Sequence, residues 1–300
     1  MSDRMGKFLS RISGRNSLLR QIRDFRRLMF AMEGKIRDLE NLQRLEFFEI
    51  TAVNHPRYGD PRRLFRHGRQ TYSQHDEDGM ISEIFRRIGT TNRTFVEIGV
   101  GDGLENNTTL LLTQGWNGFW IDGDPELVSA IKGTFQKPIQ NRKLTIETAM
   151  LTAENVAGTL RRIGVPRDFD LFSLDIDRNT YWLWAAMAEF KPRVVVVEFN
   201  SQFPPEMDWK VDYHPDLTWK GGSYFGASLK AFELLGRQFG YSLVGCDWYG
   251  VNAFFVLDEL CGDHFAPPFT SENHYEPTRF GRLERLGHPP AFKDYDAWPK

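Results

Sequence analysis

The chain has 300 residues, 41% hydrophobic and 26% charged, with a net charge of −2. That length can bury a sizeable core, and the balanced charge argues against a nucleic-acid partner. Two cysteines, Cys246 and Cys261, exclude a disulfide framework and a cysteine-built metal centre. No apolar run reaches the roughly 18 residues of a membrane span and no signal-peptide core is present, so a cytoplasmic location is the default expectation.

The charge is unevenly placed. Residues 1–27 hold eight Lys and Arg against Asp3 and Asp24. Leu18, Ile22, Phe25, Met29, Met32, Ile36 and Leu39 then recur in alternating steps of four and three, which puts one apolar stripe on one face of a helix. Three readings of this 1–50 extension stand side by side. It packs on its own domain, or it pairs with a second copy as a coiled-coil homo-oligomer. The third is contact with a membrane surface, with Phe8, Leu9 and Ile12 among the basic residues. Residues 51–71, broken at His55-Pro56 and Pro61, read as a linker.

From 72 to 260, apolar strands alternate with helical patterns, as an α/β fold requires. Strands are predicted at 94–100, 118–122, 144–149, 170–175 and 193–198, with helices at 104–114, 124–135, 153–163, 180–190 and 226–239. Two last strands, 241–244 and 251–256, are separated only by a Gly245–Gly250 turn and so must pair antiparallel. The expected architecture is a Rossmann-like, mostly parallel seven-stranded sheet ending in an antiparallel hairpin, with the N-terminal helical extension attached. Residues 261–300 read as a wrapping tail.

The strongest local signal is Val96-Glu97-Ile98-Gly99-Val100-Gly101-Asp102-Gly103, a strand running into a glycine-rich turn that a ligand can approach closely. The spacing is Gly99-x-Gly101-x-Gly103, not the G-x-G-x-x-G of dinucleotide sites. The second strand ends in Asp122, about twenty residues on, where a carboxylate can accept both ribose hydroxyls of a nucleoside cofactor. Asp122 is assigned to the ribose and Asp124, before Pro125, to a helix cap; the reverse assignment is the alternative.

Tyr72-Ser73-Gln74-His75-Asp76-Glu77-Asp78 resembles the S-Q-x-x-E-D segment of FkbM-type methyltransferases. Phe95-Val96-Glu97-Ile98-Gly99, Asp102-Gly103, Asn106-Asn107-Thr108 and Gly115-Trp116-x-Gly118 follow in that family's order, and the resemblance runs from about Tyr72 to Leu257. It implies a class I methyltransferase fold, S-adenosylmethionine as cofactor and O-methylation of a sugar or related hydroxyl acceptor. The cofactor set is then Gln74, Glu97, Gly99, Gly101, Asp102, Gly103, Asn107, Asp122 and Met150.

The fourth strand ends in Asp175-Ile176-Asp177-Arg178-Asn179 and the fifth in Glu198-Phe199-Asn200. Ligands in open α/β sheets sit beyond the carboxyl ends of the strands, so these side chains meet at one edge. One reading is a hard divalent cation, Mg²⁺ or Mn²⁺, held by Asp175, Asp177, Glu198 and Asn200. Another is Asp175 or Asp177 as a metal-free general base, and a third is helix capping alone. FkbM relatives usually carry glycine where Arg178 stands. Trp219, Lys220, Ser223 and Tyr224 combine aromatic platforms with donors and read as acceptor contacts, with His214 as a second catalytic candidate. Two rivals remain: a nicotinamide-dependent oxidoreductase, and a non-catalytic coiled-coil tethering protein with a degenerate methyltransferase domain.

Overall fold

The computed structural model describes residues 22–36, 39, 42, 43, 46, 50 and 55–279. The chain divides into two compact units, Met1–Gly59 and Asp60–Lys300. In the first, residues 22–36 form helix α1, on which Ile22, Phe25, Met29, Met32 and Ile36 are all exposed. Leu18 and the membrane-contact residues Phe8, Leu9 and Ile12 lie outside the described residues.

The second unit begins inside the stretch expected to be a linker. Leu64 joins the core beside Met80 and Ile84, and the Phe65 ring meets Trp248 edge-on with centroids 4.7 Å apart. Helix α2 (Glu77–Ile88) leads into β1 (Thr94–Ile98), α3 (Thr109–Thr113) and β2 (Asn117–Asp122). Then follow α4 (Pro125–Thr134), α5 (Gln136–Gln140), β3 (Leu144–Thr148), α6 (Val156–Ile163) and β4 (Asp168–Leu174). The unit continues through α7 (Thr180–Ala185), β5 (Lys191–Glu198), α8 (Leu229–Gln238), β6 (Tyr241–Cys246), β7 (Asn252–Leu257), α9 (Asp258–Cys261) and α10 (Ser271–His274).

The seven strands lie in the order β3-β2-β1-β4-β5-β7-β6. The first five are mutually parallel, while β7 is antiparallel to both β5 and β6. This is the α/β architecture expected from the sequence. Strand alternation divides the core between the two faces. Val96, Ile98, Phe172, Leu174, Val195 and Val197 pack on one side with α6, α7 and α8 residues, and Phe95, Leu171, Val194 and Val196 pack on the other with α2 and α3. Strands apolar on both faces are what helix layers on both sides demand.

The helix predicted over 104–114 is reduced to Thr109–Thr113. Side chains capture the preceding stretch. The amide of Asn107 and the hydroxyl of Thr108 donate to Glu97, and the Thr109 hydroxyl donates to the Gly103 carbonyl. Such side-chain bonds compete with helical pairing. Residues of the expected tail also belong to this unit: Phe265 and Ala266 are buried, and the Tyr275 hydroxyl donates to the Ser201 carbonyl.

The sequence turns from one side of the sheet to the other between β1 and β4, which are hydrogen-bonded neighbours. In open α/β sheets a crevice forms beyond the strand ends at such a point.

Candidate active site

Pairing of Ile98 with Leu174 and with Ile121 brings the ends of β1, β4 and β2 level. The chain leaves β1 through Gly99 at φ +82, and a Cβ there would stand 1.6 Å from the Asp175 carbonyl oxygen. Only glycine fits that approach. The Gly101 amide donates to Asp122 Oδ2 and the Asp124 amide to Asp122 Oδ1, each at 2.9 Å. Asp124 itself caps α4, accepting from the amides of Glu126 and Leu127. The capping role therefore falls to Asp124, leaving the Asp122 carboxylate on a groove of about 1270 Å³ that Gly99, Gly101, Met150, Asp175 and Asp177 also line.

Other residues expected at the cofactor brace the turn from below. Glu97 is buried, accepting from the Asn107 amide and from the hydroxyls of Thr108 and Ser173. Withdrawal from water pushes its carboxyl up to about 7. Asn107 is buried too, its side-chain amide donating to Ser173. Asp102 accepts from the Leu104 amide, and the Gly103 amide closes the turn on the Val100 carbonyl. Gln74 lines a second cavity instead of the groove. A glycine turn's flanking residues look alike in sequence whether they touch a ligand or hold the turn.

That second cavity, about 340 Å³, is lined by Asp175, Asp177, Glu198, Gln74, His75 and Trp219 among others. Asp175 and Asp177 line both cavities. Oxygens of Asp175, Asp177 and Glu198 lie within 4.8 Å of one another, and Glu198 Oε2 is buried without an N–H or O–H donor. Burial raises all three carboxyls, that of Asp177 to about 6 with help from Asp175. The Glu198 carboxyl is pushed well above the ordinary carboxylate range, by burial first and then by its acidic neighbours Asp175 and Asp177. Close oxygens, half-buried and short of donors, suit a small hard cation.

Asn200 is not part of that oxygen set. Fully buried, it donates to the carbonyls of Ser223 and Phe225 and accepts from the Gln202 amide, pinning the 223–225 loop. The left-handed residue at this strand end is Asp177, at φ 58, and not Arg178 beside it. The buried guanidinium of Arg178 lies over the Tyr224 ring at 5.3 Å and donates to the Asp212 carbonyl.

Of the expected acceptor contacts, Trp219 lines the second cavity, and so does Phe225 of the same segment. Tyr224 donates to Asp212, Ser223 offers its carbonyl to Asn200, and Lys220 is exposed. His214 is exposed and lines neither cavity; its Nδ1 accepts from the Asp216 amide. The histidine on the cavity wall is His75. Its signal was its position inside the S-Q-x-x-E-D segment.

No protein-family model matches the chain. No curated protein matches it in sequence either. Solved structures do resemble it in part. An S-adenosylmethionine-dependent methyltransferase from Clostridium acetobutylicum ATCC 824 is 12% identical, matched over 73% of this chain and 99% of that one with a TM-score of 0.39. An O-methyltransferase from Bacillus cereus in complex with SAH is 14% identical, with a TM-score of 0.32, over 41% of this chain. The match spans only 55% of that protein's length. A glycopeptide N-methyltransferase complexed with S-adenosylmethionine is 12% identical over 59% of this chain and 86% of that one, with a TM-score of 0.35. The fold assignment rests on strand order and register, not on these distant resemblances.

Proposed function

We propose that this chain is an S-adenosylmethionine-dependent O-methyltransferase whose acceptor is a sugar, a glycan unit or another small hydroxyl compound. One observation carries the reading: Asp175 and Asp177 form a wall common to the groove at the glycine turn and to the smaller chamber beside it. A cofactor held by Gly99, Gly101 and Asp122 would present its methyl group at that wall, with the acceptor seated on the other side. The acceptor oxygen bonds to the methyl carbon as the carbon–sulfur bond breaks, and that electron pair returns to sulfur. Placing the two reactants in line is the protein's main contribution.

The choice of a hydroxyl acceptor follows the FkbM resemblance, and Trp219 and Phe225 offer aromatic faces of the kind that suit a sugar's apolar side. Asp175, Asp177 and Glu198 are the residues that would hold Mg²⁺ or Mn²⁺. Such an ion, when bound, would acidify the acceptor hydroxyl. Transfer of labelled methyl from S-adenosylmethionine to a set of methyl glycosides, oligosaccharides and small polyols tests the reading. Label in a hydroxyl acceptor supports it; label only in amines would refute O-methylation.

A further inference from the structure

We infer that His75 faces the reacting oxygen and takes the proton that the acceptor hydroxyl loses. This rests on the methyl-transfer reading above and adds to it the group that completes the reaction. His75 lines the smaller chamber together with Asp175, Asp177 and Glu198. Its ring stacks on Tyr249, with centroids 4.2 Å apart and planes 20° from parallel, which fixes the plane of the imidazole.

Its backbone is fixed as well. The His75 amide donates to Glu77 Oε2 at 3.0 Å, and Glu77 Oε1 accepts from the Asn252 side chain at 2.8 Å. Asn252 is the β7 residue paired with Glu198 of β5. A short chain of bonds thus ties the histidine to the strand that delivers Glu198. Preorganisation of this kind is what a proton acceptor needs.

Asp76 and Glu77 flank it on its own segment, and Asp175, Asp177 and Glu198 line the same chamber. At Tyr249, Asp247 accepts from the Tyr249 amide and the Arg279 amide donates to the Tyr249 carbonyl. No Lys or Arg is among the residues that line it. An imidazole, ordinarily titrating near 6.5, can take a proton at neutral pH and pass it to solvent. In the step, the oxygen–methyl bond forms, the sulfur–methyl bond breaks with its pair going to sulfur, and the hydroxyl proton moves to a His75 ring nitrogen.

The test uses S-adenosylmethionine and S-adenosylhomocysteine, which differ only in the transferable methyl and its positive charge. Protein labelled in its histidine rings is saturated with each, and resonances are assigned through His75→Gln and His214→Gln. His75 should differ between the two complexes while His214 stays the same. In label transfer to methyl glycosides, His75→Gln should fall about a hundredfold or more at unchanged cofactor affinity. Identical His75 resonances in two saturated complexes, or full turnover in the variant, would overturn the inference while leaving methyl transfer standing. Binding of neither ligand would overturn both.

Discussion

Gly99 and Asp175 touch through their backbones: a side-chain carbon on Gly99 would overlap the Asp175 carbonyl oxygen at 1.6 Å. This contact joins the glycine turn after β1 to the wall between the cavities. The junction is held by two further backbone bonds, from Asp175 to the Ile98 carbonyl and from Gly99 to the Ile121 carbonyl, both at 3.0 Å.

Gly99→Ala is therefore expected to destabilise the domain by about 3 kcal/mol or more, adding a clash with backbone to a left-handed φ that alanine resists. Denaturant unfolding measures it. A loss below about 1 kcal/mol would mean that the β1–β4 junction is looser than described.

Glu97 offers a test by pH. Its folded-state value near 7 lies above the ordinary 4.5, so its contribution to stability is full below about 4.5 and lost as pH rises through 7. The swing is about 3 kcal/mol. Glu97→Gln keeps an acceptor for Asn107 and Ser173 and a donor toward Thr108, so it should fold. From pH 5 to pH 8 the natural protein should lose stability that the variant retains. Parallel profiles would contradict the burial argument.

Asp177 combines a left-handed backbone with a carboxyl raised to about 6 by burial and by Asp175. Asparagine tolerates that backbone and carries no charge. Asp177→Asn should gain about 1–3 kcal/mol of stability at pH 7.5, a gain that disappears toward pH 4. Turnover should fall steeply at unchanged cofactor affinity. A variant that is neither more stable nor slower would remove Asp177 from the mechanism.

Much of this was legible in sequence. Continuous apolar runs such as Arg193–Glu198 placed the sheet, and the short Gly245–Gly250 turn forced the antiparallel end. Strand ends carrying Asp122, Asp175, Asp177 and Glu198 marked the edge where the cavities lie. Burial was not legible. Glu97 and Asn107 flank the glycines as a ligand-binding pair would, yet they face Thr108 and Ser173 inside the fold. Nor could spacing show that Asn200 clamps a loop, or that the exposed His214 stands outside the chamber while His75, 100 residues before Asp175, lines it. Such contacts depend on how distant segments meet.

The 1–50 extension supports a separate prediction. The exposed apolar stripe of α1 suits a coiled coil with a second copy, and the chain's second compact unit begins only at Asp60. Deleting residues 1–50 should lower the oligomeric mass and leave a folded domain, as light scattering would register. An unchanged mass would refute pairing through this helix.

Cofactor binding at Asp122 is the most direct test of the whole account. Titration calorimetry should record binding of S-adenosylmethionine and S-adenosylhomocysteine to the natural protein and no binding of NADH. Asp122→Ala should weaken both ligands by very roughly ten- to a hundredfold, corresponding to the loss of charge-assisted bonds of about 1.5–3 kcal/mol. NADH binding without either adenosyl ligand, or unchanged affinity in a folded Asp122→Ala variant, would contradict it.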